Sequence, residues 1–167
     1  MNEGIDARLI AIRGEIPCGA EGVSVTSCDS PYRFGAIWGL LKLLRKMELD
    51  REDVLHVHLF PMQLYIAVFS ALGLIRCRLM TTEHSTFNRR RGSRFWRLVD
   101  RWSYRRYERI ACISVAVCDS LRSWVGDLKT LSVIYNGVHL AQYEAAYQTR
   151  INSAVVVDRP FGILSVG

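Results

Sequence analysis

Hydrophobic positions along this chain alternate between short solid runs and longer stretches with a helical period. The solid runs are Asp53–Leu59 (DVLHVHL), Arg78–Ser85 (RLMTTEHS), Arg109–Val115 (RIACISV) and Leu131–Val138 (LSVIYNGV). Each is strand-like, and each ends in polar or small residues. Helix-like segments separate one run from the next. Strand–helix alternation of this kind implies parallel strands and an α/β class with helices on both faces of the sheet. In open parallel sheets, ligands gather just beyond the carboxyl ends of the strands. His58, His84, Ser114 and Asn136 stand at those ends and are the first candidates for chemistry.

The remaining pattern fills in around these runs. Ala7–Ile12 is strand-like, and Gly22–Thr26 is a second, weaker candidate. Phe34–Met47 reads as a helix, with Phe34, Ile37, Trp38, Leu41, Leu44 and Arg45 recurring at three- and four-residue spacing. Pro61 fits the first turn of a helix over Met62–Leu72, and Gly73 fits its C-terminal cap. Thr86–Ser93 is a basic loop, Phe95–Tyr107 a helix, and Val115–Val125 a helix closed by Gly126. Asn136-Gly137 supplies turn chemistry, because glycine tolerates positive φ. Gln142–Ser153 is polar, Ala154–Pro160 is linker-like, and Phe161–Val166 is a last strand. This divides the chain into a domain over 1–150 and a linker with the first strand of another domain over 151–167.

Composition narrows the partners. The chain has 167 residues, half of them hydrophobic, which is enough for one real core. Its net charge of +6 favours anionic partners: nucleotides, phospholipid surfaces or nucleic acid. No nucleic-acid module is visible, so nucleic acid is not expected. The five cysteines, Cys18, Cys28, Cys77, Cys112 and Cys118, include no CxxC pair and read as reduced core thiols. The first residues carry no signal-peptide pattern. The uncharged run Leu59–Ile75 is shorter than a spanning helix needs and is interrupted by Pro61 and Gln63.

Several residues admit both a chemical and a structural role. His56 and His58 lie two apart on a strand and share a face. With His84 they could form part of a metal site, but no third ligand is fixed by sequence and no metal is expected. His84 closes an apolar strand just before a loop. That suits hydrogen bonding to a sugar hydroxyl, polarising an oxyanion or acting as a base; the plainer role is bonding its own loop. Glu83 could orient that imidazole, bind hydroxyls or remain a solvated charge. Ser114 sits where a strand meets a helix, as a cap and a potential anion contact. It lacks the GxSxG elbow of a nucleophile. Cys18-Gly19-Ala20-Glu21-Gly22 is weak as a phosphate loop.

Nine arginines fall between Arg89 and Arg109. Arg90, Arg94, Arg97, Arg101 and Arg105 form one helical stripe; Phe95, Leu98, Val99 and Trp102 form another. Such a helix can lie on an anionic membrane surface. It can equally pack its apolar stripe on a sheet and leave a solvated basic back.

Together, DVLHVH at Asp53–His58, TTEHS at Thr81–Ser85, RIACIS at Arg109–Ser114, VIYNGV at Val133–Val138 and ILSVG at Ile163–Gly167 resemble the N-terminal domain of family-4 glycosyltransferases. The resemblance spans residues 4–167, and its specificity lies in the order and spacing of the pieces. It implies a Rossmann-like domain forming the N-terminal half of a two-domain GT-B fold. It also implies retaining sugar transfer from a nucleotide-sugar donor to a glycan or lipid-linked acceptor, in surface-polysaccharide or glycolipid assembly. No cofactor or metal is implied, and the first domain chiefly holds the acceptor. His84 matches the cleft histidine and is the candidate catalytic residue. His58, Glu83, Ser114, Asn136 and Gly137 fall at the cleft. The family commonly has Asp where His139 stands and Phe where Tyr143 stands. Its first strand, glycine-rich loop and first helix would precede Gly4, and its donor-binding domain would follow the last strand. On that comparison the chain is expected to be a fragment with little activity alone, cytoplasmic and peripheral at the inner face of the membrane. A basic, non-catalytic binding module or partner subunit is the alternative from another functional class.

Overall fold

The computed structural model describes residues 7–12, 22–26 and 28–137. The polar stretch after residue 137, the linker, the last strand, His139 and Tyr143 lie outside the described residues. The chain divides by its internal contacts into Met1–Tyr135 and Asn136–Gly167.

The elements run β1 (Leu9–Ala11), β2 (Val23–Val25), α1 (Phe34–Lys46), β3 (Val54–His58), α2 (Met62–Ala71), β4 (Arg78–Glu83), α3 (Arg94–Tyr104), β5 (Arg109–Cys112), α4 (Val115–Val125) and β6 (Leu131–Val133). A 3-10 turn at Arg89–Gly92 leads into α3. Every strand pairing among the described residues is parallel. The strands form two sheets, β1-β2 and β3-β4-β5-β6. This is the α/β, Rossmann-like class expected from the alternating pattern.

Register explains how the sheet carries its core. Val57 stands opposite Thr81, Thr81 opposite Ile110, and Cys112 opposite Val133. Ile110, Ala111 and Cys112 are all buried, as a parallel strand covered on both faces requires. Tyr104, Tyr107, Leu121 and Val125 pack into the same cluster as Leu44, Ile66 and Leu79.

Two helices face differently from their sequence pattern. In α1 the buried residues are Ala36, Leu40, Leu41 and Leu44, while Phe34 and Trp38 are exposed. The small Ala36 lets the helix approach its neighbours closely, and the large aromatics are turned outward. In α3 the difference is greater. Asp100, Ser103 and Tyr104 face inward, and Phe95, Leu98 and Trp102 are exposed. The aromatic stripe therefore does not pack on the sheet. Tyr104 and Asp100 face inward instead, where the Tyr104 hydroxyl donates to Glu83 and Asp100 meets Arg90 and Trp124.

Gly73 and Gly126 follow α2 and α4 with φ of +68° and +91°. Both were expected to end those helices, and a side chain at either would be strained.

Candidate functional site

The period of two along β3 puts His56 and His58 on one face, and parallel register puts Thr82 and His84 beside them. His56 Nε2 lies 2.7 Å from Thr82 Oγ1, and His58 Nδ1 lies 3.3 Å from His84 Nε2. The ring centroids of His56 and His58 are 4.2 Å apart, and those of His58 and His84 are 5.6 Å apart. Burial, then the neighbouring His84, lowers the His58 pKa from its ordinary value. His56 is lowered by burial, then by His58 and His84. His56 and His58 are therefore held toward their neutral forms, in which an imidazole can accept a proton or a hydrogen bond. Among the described residues, no group of three or more His, Cys, Asp or Glu is placed to hold a metal ion.

Glu83 is not a solvated charge. Its Oε2 accepts from the Tyr104 hydroxyl, and its Oε1 lies 3.8 Å from Arg91 Nη2. Burial, then the Glu83 carboxylate, raises the Tyr104 phenol well above its ordinary pKa. Arg91 also donates to the Thr86 carbonyl and to Ser120 Oγ, and the Ser120 hydroxyl donates to Thr86 as well. Asn88 caps the 3-10 turn by accepting from the Arg90 amide at 3.1 Å. These bonds pin the basic loop that follows His84. Part of its charge is thus committed to structure.

Beside this loop is a cavity of about 300 Å³, with His84, Glu83, Phe60, Asn88, Arg90 and Gln63 among its walls. Gln63 is buried, and its side chain bears on the Tyr104 phenol. Ser114 caps α4, accepting from the Val117 amide at 3.3 Å. Asn136 and Gly137 follow β6 and are exposed.

The family model described as Glycosyltransferase Family 4 matches residues 3–142. The chain belongs to this family. Among curated proteins, none matches it. The match includes every described strand and all the candidate residues at the strand ends.

In this family-4 domain the arginines separate into two groups. Arg90 departs from the expected outward stripe: its Nε lies 3.5 Å from Asp100 Oδ1, and its guanidinium sits 3.7 Å from the Phe60 ring centre. Asp100 is buried and attracts it inward, while also accepting from Trp124 Nε1 at 2.9 Å. Arg97 donates to the Trp124 carbonyl. Arg94, Arg101 and Arg105 are exposed beside Phe95, Leu98 and Trp102. Arg106 lies over the Trp102 ring at 5.4 Å. No helix among the described residues is long and apolar enough to cross a membrane.

Phe60, Gln63, Asp100 and Tyr104 were absent from the sequence-level candidates. Phe60 and Gln63 read as parts of a buried helical segment. Asp100, the one acidic residue of an arginine-rich helix, was the available signal for an inward ion pair.

Proposed function

We propose that this family-4 domain holds the acceptor of a retaining glycosyltransferase. The sugar comes from a nucleotide-sugar, and the acceptor is a glycan or a lipid-linked sugar in surface-polysaccharide or glycolipid assembly. The observation that carries the proposal is the His58–His84 pair, with His84 on the wall of a cavity that Glu83 also lines. Imidazole nitrogens are suited to hydroxyls, which both donate and accept. His84, exposed and at the cavity wall, contacts the reacting sugar or the acceptor hydroxyl. His58 orients its imidazole. No cofactor takes part.

The exposed face of α3 supports a lipid-linked acceptor. Phe95, Leu98 and Trp102 provide an apolar strip, flanked by Arg94, Arg101 and Arg105. Aromatic and apolar side chains with basic neighbours suit the boundary of an anionic bilayer. The domain works at the inner face of the cytoplasmic membrane.

The test is titration of short glycans and lipid-linked sugars against the protein, following the imidazole resonances of His58 and His84. It is paired with labelled-sugar transfer from a panel of nucleotide-sugars. Saturable shifts of both imidazoles, lost in His84→Ala, support the reading. Transfer that persists undiminished in His84→Ala overturns the role given to this residue.

A further inference from the structure

The cavity that holds His84 has walls of two kinds, polar at Glu83, His84 and Arg90 and apolar at Tyr32, Leu59 and Phe60. Its volume of about 300 Å³ stands at the small end of ligand cavities, with room for one ring rather than a chain of them. The two aromatic rings on its walls are not equivalent. Phe60 is half-buried. The Arg90 guanidinium sits 3.7 Å from its ring centre, and the Trp96 ring meets it edge-on at 5.9 Å. Tyr32 borders the same cavity and is 68% exposed.

Tyr32 is exposed, yet the turn that carries it is tied down. Its amide donates to Ser30 Oγ at 3.4 Å, and the Arg33 amide donates to the Ser30 carbonyl at 3.3 Å. Pro31 fixes its own φ. The Tyr65 hydroxyl on α2 donates to the Pro31 carbonyl at 3.3 Å, a bond between residues 34 apart in sequence. Burial, then the neighbouring Tyr32 phenol, raises the Tyr65 pKa, which places the two hydroxyls near one another. The turn is thus fastened to the helix that also brings Gln63 to the cavity. Leu59, on the apolar wall, has a φ of +64°, a conformation uncommon outside glycine. Backbone strain of this kind concentrates at ligand sites. The apolar wall is therefore held in shape without a ligand, and a rigid aromatic face is what it offers.

We propose that Tyr32 is the stacking platform for the acceptor sugar: one pyranose ring lies with its C–H face on the phenol ring and its hydroxyls toward His84. This rests on the acceptor reading of the cavity given above and adds to it a residue and a form of sugar. The chemistry is complementary. The face of an aromatic ring carries partial negative charge, and the ring C–H bonds of a sugar carry partial positive charge. The hydroxyls project from the rim of the pyranose, where imidazole nitrogens can donate to them or accept from them. A pyranose therefore has an apolar face and a polar rim, as the cavity has an apolar and a polar wall. An open-chain polyol has the hydroxyls without the rigid C–H face. A small anion would engage Arg90 and leave Tyr32 in water.

The probes are the methyl glycosides of glucose, N-acetylglucosamine and mannose, with sorbitol as the open-chain control, titrated against the full chain. Proton NMR reads two signals: the His84 imidazole reports occupancy, and the sugar C–H resonances report an aromatic ring above them. At least one glycoside should shift His84 saturably while its ring protons move upfield, and sorbitol should do neither. Tyr32→Ala should abolish the upfield shift and weaken binding by about fivefold or more. Tyr32→Phe should retain both, as should Phe34→Ala, which removes an exposed aromatic outside the cavity. Three results overturn the inference. A glycoside that shifts His84 with no upfield movement, or binds Tyr32→Ala as well as the native chain, would leave the acceptor reading standing and remove Tyr32 from it. Equal losses in Tyr32→Phe and Tyr32→Ala would assign the effect to the phenol hydroxyl. No saturable response of His84 to any glycoside would overturn the acceptor reading and the platform with it.

Discussion

His58 Nδ1 and His84 Nε2 lie 3.3 Å apart, so that one ring can donate a hydrogen bond to the other. His56 extends the cluster on the other side of His58.

This cluster makes stability depend on pH with a defined sign. Folding lowers the His56 and His58 pKa values from 6.5, chiefly by burial. Just below pH 6.5 the unfolded chain binds more protons than the native one, so stability rises with pH through that window and is complete above it. The melting temperature should fall on acidification from pH 7 to pH 5, and the fall should shrink in a His56→Gln, His58→Gln double variant. Both rings are largely exposed and water screens them, so the effect is modest. An identical pH slope in the double variant would assign the dependence to other groups.

Tyr104→Phe leaves Glu83 Oε2 without its phenol donor in a half-closed site. Denaturant titration should register a loss of about 1–3 kcal/mol. A Tyr104→Phe, Glu83→Gln double variant should lose less than the sum of the two single changes, because the residues share one bond.

Asp100 has a buried carboxylate between Arg90 and Trp124. Asp100→Ala strands the Arg90 guanidinium against Phe60, and a loss of about 3 kcal/mol is expected. Asp100→Asn keeps an acceptor for the Trp124 indole and should lose less. Equal losses in the two variants would mean that the ion pair contributes nothing measurable.

Ser114→Ala removes the cap of α4, at a cost of about 1 kcal/mol, and Ser114→Asp should restore most of it. Thermal melts of the three proteins decide this directly.

Leu98→Asp and Trp102→Asp alter exposed positions and should change stability by no more than about 0.5 kcal/mol. Partitioning onto anionic vesicles should fall sharply in both. Arg101→Gln should weaken it by about fivefold at low salt, the equivalent of about 1 kcal/mol per basic residue at such a surface. Undiminished partitioning in all three variants would remove α3 from the membrane contact.

The sheet was legible in the sequence because its signals are local. β4 over Arg78–Glu83 falls within the Arg78–Ser85 run, α4 over Val115–Val125 coincides with its expected range, and Gly73 and Gly126 end helices as positive-φ residues should. The cap at Ser114 was legible for the same reason. The faces of α1 and α3 were not. Periodicity reports that a helix has two sides, but the choice of the inner side depends on partners distant in sequence. Asp100 turns inward because Trp124 and Arg90 meet it there, and Tyr104 because Glu83 lies at the end of another strand. The histidine pair depended on parallel register between β3 and β4, which joins residues 26 positions apart. The cavity at Gln63 required the loop after His84 to be pinned by Arg91, a tertiary contact with no local sequence signal.

Cys112 lies buried on the most enclosed strand of the sheet, and burial, with Cys118 beside it, pushes its thiol up to about 12. Its thiolate is therefore scarce at pH 7, and alkylating reagents attack the thiolate. Nature has in effect placed a silent label at the centre of the domain. Its rate of modification by iodoacetamide would count each opening of the β5–α4 layer, giving a chemical clock for the motions of this domain without any engineered probe.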